Sequence, residues 1–77
     1  MEMDILIDIV AKVMKVDPKE VSKETTFVED LGADSLDLLR ILMDVEEQFN
    51  IKLPKDCIHK IATTEDVNEI IKKVKKA

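Results

Sequence analysis

Few residues of this chain could do chemistry. It has one cysteine, Cys57, and one histidine, His59. Two positions apart on a helix, they point roughly 200° apart, so they form no catalytic dyad and share no metal. Cys57 reads as a half-buried small apolar residue and His59 as a solvated surface residue. The single glycine, Gly32, excludes a glycine-rich phosphate loop. No segment has the Asp, Gly and Glu positions of a calcium loop, and no metal is expected. What remains is Asp30-Leu31-Gly32-Ala33-Asp34-Ser35-Leu36-Asp37. It leads through two small residues to a serine at the mouth of a helix, where Gly32 and Ala33 leave room for another protein's active site to reach the hydroxyl. Helix-terminal N–H groups and the helix dipole favour a phosphate there. Ser35 could be no more than a cap, but Asp34 is as good a cap, and with Asp34 in that role the serine is free.

The elements that must position Ser35 are helical. Residues 35–49 repeat Leu38, Ile41, Leu42, Val45 and Phe49 at spacings of three and four, and Asn50 suits the helix end. Residues 3–15 carry a broad stripe of Ile5, Ile9 and Val13 with Leu6, Val10 and Met14, and Asp17-Pro18 ends it. A short helix is expected at 55–61, with Ile58 and Ile61 inward. The run Thr63-Thr64-Glu65-Asp66 resembles a capping box and opens a last helix built on Val67, Ile70, Ile71 and Val74. Lys72, Lys73, Lys75 and Lys76 sit at its C-terminal end, where cations are favoured. Residues 16–33 form a long connection, with room for one helical turn at 18–21, pinned to the core by Val16, Val21, Phe27, Val28 and Leu31. No strand alternation is present. The expected fold is all-α, a small four-helix bundle of three longer helices and one short one, with a long loop between the first two, forming one domain over 1–77.

Composition excludes several function classes. A 77-residue chain has little interior to spare for an active-site pocket, so carrier or adaptor roles lead and catalysis is not expected. Catalysis by the chain itself would need Cys57 as nucleophile. Seventeen acids against twelve bases argue against nucleic acid. The unpaired cysteine suits a reducing cytoplasm, and Glu2, Asp4 and Asp8 stand where a signal peptide would be basic. No apolar run approaches the length of a membrane span. Between residues 24 and 47 there are eight acids and one base, Arg40. Leu36 and Met43 fall outside the core stripe, on one row with Arg40 and Glu47. An apolar pair ringed by acid suits docking to a basic partner, although acidic helix faces are usually just solvated.

The string Asp30 to Leu36, followed by Asp37 and the acidic helix through Glu46, Glu47 and Phe49, resembles an acyl carrier protein of the bacterial type II form. The similarity runs from the first amphipathic helix through Phe27-Val28-Glu29-Asp30 and Leu53-Pro54 to Ile61 and Thr63-Thr64. It implies that a phosphopantetheinyl transferase moves 4′-phosphopantetheine from coenzyme A onto Ser35, and that the arm holds acyl groups as thioesters, chiefly for fatty acid biosynthesis. Asp34, Leu36, Asp37, Arg40, Met43, Glu46 and Glu47 would form the face recognised by acyl-synthesis and acyl-transfer enzymes. The bundle interior would shelter the cargo, and the carrier would be a cytoplasmic monomer. Two features depart from the family. Arg40 stands where glutamate is common, and the third helix, usually acidic, reads Lys55-Asp56-Cys57-Ile58-His59-Lys60. Both leave open a dedicated pathway. Peptidyl and D-alanyl carriers share the fold with different serine contexts, and an unmodified acidic adaptor is the alternative outside the carriers.

Overall fold

The computed structural model describes residues 2–76, the side chains at 55 and 76 excepted. Three α-helices carry the fold: α1 (Glu2–Met14), α2 (Ser35–Phe49) and α3 (Thr64–Lys76). No strand forms among the described residues; the extended backbone is limited to one antiparallel bridge between Thr26 and Thr63. The segment expected as a short fourth helix is five residues of 3-10 helix, Lys55–His59, rather than α-helix. Pro54 precedes it without a side-chain cap, and its last turn closes by i to i+3 bonding, Lys60 N–H to the Cys57 carbonyl at 2.8 Å. A piece this short lacks the run of bonds that sustains an α-helix.

The core is aliphatic around one aromatic ring. Leu6 and Val10 of α1, Ile41 and Val45 of α2, Val67 and Ile71 of α3, and Phe27 of the connection are all fully buried. Each helix contributes residues three or four apart, so a single face of each turns inward. Ile5, assigned to the α1 stripe, is part-exposed at its edge. α1 ends at Met14: Lys15 adopts a left-handed conformation (φ 58°), and the Val16 N–H bonds the Ala11 carbonyl at 3.0 Å. Asn50 ends α2 in the same way (φ 54°), with the Ile51 N–H on the Glu46 carbonyl at 3.1 Å. This closure satisfies carbonyls that a helix end leaves open.

Between α1 and α2 the chain makes a 3-10 turn at Pro18–Glu20, capped by the Asp17 carboxylate on the Lys19 N–H at 2.9 Å. It then runs along the start of α3. The Phe27 N–H bonds the Ala62 carbonyl at 2.9 Å, and the Thr64 N–H bonds the Thr25 carbonyl at 3.2 Å. Val21 and Phe27 are buried anchors. Val28, expected to be another, is 58% exposed. The two lie in the turn over 27–31, where Phe27 takes the inward direction and leaves Val28 to solvent.

The expected capping box of α3 is present. The Thr63 Oγ1 accepts the Asp66 N–H at 3.2 Å, and the Asp66 carboxylate accepts the N–H groups of Thr63 at 3.0 Å and Ala62 at 2.8 Å. Thr64 plays no part in the box. It is fully buried, and its Oγ1 and the Oδ1 of Asn68 have no hydrogen-bond partner among the described residues. The Ala62 and Thr63 N–H groups hold the Asp66 carboxyl below the ordinary value of 3.8. A lowered folded-state value stabilises the protein above the unfolded pKa, and the effect disappears as pH falls through the folded value. Asp66→Ala should therefore cost about 1 kcal/mol at neutral pH. Urea denaturation at neutral pH and at about pH 2 should show the gap between the two proteins closing in acid.

Candidate functional site

The loop before α2 aims one hydroxyl outward, and each residue of the 30–37 string has a separate task. Asp30 locks the turn: its carboxylate accepts the Thr26 N–H at 2.9 Å, while the Asp30 N–H donates to the Thr26 Oγ1 at 3.1 Å. Leu31 packs partly against the core. Gly32 has φ +67°, which favours glycine. A methyl group placed there would meet nothing within 4 Å, so the backbone angle rather than lack of space explains the residue. Ala33 is buried, with its N–H on the Phe27 carbonyl at 2.9 Å. The expectation that both small residues clear space around Ser35 is thus corrected: one reverses the chain and the other anchors it.

Asp34 is the N-cap of α2, in extended conformation. Its carboxylate accepts the Asp37 N–H at 2.9 Å, and the Asp37 carboxylate accepts the Asp34 N–H at 3.3 Å. This reciprocal pair does the capping that a serine could have done. Ser35 is left as the first helical residue, exposed, with its hydroxyl in no hydrogen bond to a described residue. Leu36 follows at 75% exposure, and Met43, two turns on, at 57%.

The expected recognition residues do not all share one surface. An open groove along α2 is lined by Asp34, Leu36, Asp37, Arg40 and Met43, together with Leu39 and Asp44. Leu39 was not anticipated; it lies one helical turn from Ser35, which the periodicity could have shown. Glu46 is half-buried and bonds within the fold. Its carboxylate accepts the Leu53 N–H at 2.8 Å and straps the 51–54 segment to the helix. Glu47 lines a different groove, beside Ile9 and Lys12 of α1. A second apolar groove, about 280 Å³, lies between α2 and the 53–54 segment, lined by Leu39, Leu42, Met43, Glu46, Leu53 and Pro54. Cys57 is buried rather than half-buried, and His59 is exposed, so the two do not meet.

Acids dominate this face, with Arg40 the one base between residues 24 and 47. None of the eight acids between residues 24 and 47 belongs to an ion pair among the described residues; the two pairs formed are Lys72–Glu69 and Lys75–Glu2. A free phosphate approaching Ser35 would face Asp34 and Asp37, so the helix terminus alone would not retain it.

Comparison with known proteins gives a family match and several relatives. The family model described as the phosphopantetheine attachment site matches residues 4–71. A curated acyl carrier protein of Wolinella succinogenes is 50% identical over 60 residues, 78% of this chain and 79% of its own. One from Bdellovibrio bacteriovorus is 40% identical over 70 residues, 91% of this chain and 90% of its own. One from a Sulfurovum species is 43% identical over 67 residues, 87% and 89% of the two chains.

Repulsion among the unpaired acids opposes folding, so screening them should help. Millimolar calcium or magnesium, or moderate sodium chloride, is expected to raise the melting temperature of this protein in a circular dichroism melt. An unchanged melting temperature in both would show that the repulsion is negligible.

Proposed function

The chain belongs to the phosphopantetheine-attachment family, among the acyl carrier proteins, and on that premise we propose that Ser35 bears its prosthetic group and that α2 presents it to partner enzymes. The cofactor of this family is 4′-phosphopantetheine, covalently attached, and its terminal thiol supplies the site at which acyl groups form thioesters. The observation that carries the assignment to Ser35 is the reciprocal Asp34–Asp37 cap, which leaves an exposed hydroxyl unbonded at the helix mouth.

The residues present suit such a group. The Ser35 Oγ is the point of esterification, and a separate transferase using coenzyme A is the donor. The N-terminus of α2 favours the phosphodiester charge, while Asp34 and Asp37 oppose it, so the link depends on the covalent bond. Leu39, one turn from Ser35, opens the apolar groove that continues through Leu42, Met43 and Leu53, a lining suited to an alkyl chain. Asp34, Asp37 and Asp44 around Leu36 and Met43 offer basic enzyme surfaces a charged rim about an apolar contact. Glu46 contributes through the strap to Leu53 rather than at the rim.

The pathway we assign is fatty acid biosynthesis, with the chain as a non-catalytic carrier, monomeric and cytoplasmic. Similarity to curated acyl carrier proteins over most of the chain supports this. No helix among the described residues is long and apolar enough to cross a membrane. We retain the short 55–59 helix as the fourth member of the bundle, since it packs on α2 and buries Cys57.

Incubating the protein with coenzyme A and a phosphopantetheinyl transferase should add the mass of the arm to wild type and nothing to Ser35→Ala. If wild type stays bare with several transferases, the unmodified adaptor takes the place of the carrier. If Ser35→Ala also gains the arm, the attachment lies elsewhere.

A further inference from the structure

Arg40 is the one cation between residues 24 and 47, and it lies in the middle of the groove that contains Leu36 and Met43. Its surroundings offer it two intramolecular partners. Asp37 stands three residues before it and Asp44 four residues after, both spacings that allow helical ion pairs. Neither pair forms: the ion pairs among the described residues leave Arg40 out. Asp37 is already committed to the Asp34 N–H. The guanidinium is exposed and unpaired, between two large exposed apolar side chains.

Such a group is poorly matched to a uniformly basic partner. Two guanidinium or ammonium groups brought together as water leaves an interface repel, and that costs affinity. Conversely, an arginine among apolar contacts offers a planar fork that a carboxylate meets with two hydrogen bonds. We propose that Arg40 determines specificity, selecting partner enzymes whose otherwise basic docking surface carries one carboxylate opposite it. The occupant of the groove is therefore an acyl-processing protein with a basic rim and a single Asp or Glu placed for residue 40. This rests on the carrier function assigned above and refines it by naming the charge pattern of the partner.

A purely intramolecular role makes a different prediction. If Arg40 only softens repulsion among neighbouring acids, replacing it would lower the melting temperature and leave partner choice untouched.

The test uses the arm-bearing protein, with loading verified by intact mass. Wild type, Arg40→Gln and Arg40→Glu are compared as acyl acceptors with a panel of purified malonyl and acyl transferases and ketoacyl synthases from the same source organism, and their melting temperatures are recorded. Arg40→Gln adds no acid to the face, so it reports on docking even if Arg40→Glu is poorly folded. We expect at least one enzyme that works with wild type to lose about tenfold or more in kcat/KM with Arg40→Gln, and more with Arg40→Glu. Changing the facing carboxylate of that enzyme to lysine should restore Arg40→Glu. If every enzyme that accepts wild type accepts both variants equally well or better, Arg40 has no selective role and the proposal fails while the carrier function stands. A protein that never takes up the arm overturns both.

Discussion

The whole site depends on a pair of carboxylates bonding each other's backbone. A helix start needs acceptors for its first N–H groups, and a serine at that point normally supplies one. Here Asp34 and Asp37 supply both ends of the cap. The hydroxyl next to them is then the unusual case, a polar side chain at a helix mouth with no structural work. Exposure leaves Ser35 within reach, and release from capping leaves its hydroxyl free, as the attachment proposed for it requires.

That arrangement is held from below by a loop that is longer than most but not loose. The Thr26–Asp30 turn, the left-handed Gly32 and the buried Ala33 fix where α2 begins. The same stretch is bonded to the start of α3 through Phe27, Ala62, Thr25 and Thr64. Much of the positioning of Ser35 therefore comes from contacts remote in sequence, with the Phe27 ring at their centre. The interior beneath is aliphatic and carries one phenylalanine, a composition that repacks more readily than a core fixed by several rings.

The sequence made much of this legible, and the limits have physical causes. Apolar spacing located α1, α2 and α3 to within a residue or two, because each buries one face at 3.6-residue periodicity. It also set Leu36 and Met43 apart as exposed, since they lie off the stripe that holds Ile41 and Val45. The alternative caps, Asp34 or Ser35, could be stated but not decided, because both residue types accept the same bond and only the geometry shows which does. Spacing could not tell the 3-10 helix at 55–59 from a short α-helix, as one turn holds too few periods. Val28 read as an anchor because a turn carries no regular apolar phase to say which side faces in. The bond from the Leu53 N–H to Glu46 was not legible, because it spans seven residues and a helix end. The buried Thr64 Oγ1 and Asn68 Oδ1, without a partner among the described residues, gave no sequence signal, since burial of a threonine or an asparagine is set by the elements around it.

Mass spectrometry of the protein purified from its own host, intact and after digestion, addresses the central claim most directly. The account predicts a phosphopantetheine adduct, with or without an acyl group, on the peptide that contains Ser35 and on no other. A bare polypeptide, or the same adduct on a different residue, would contradict it.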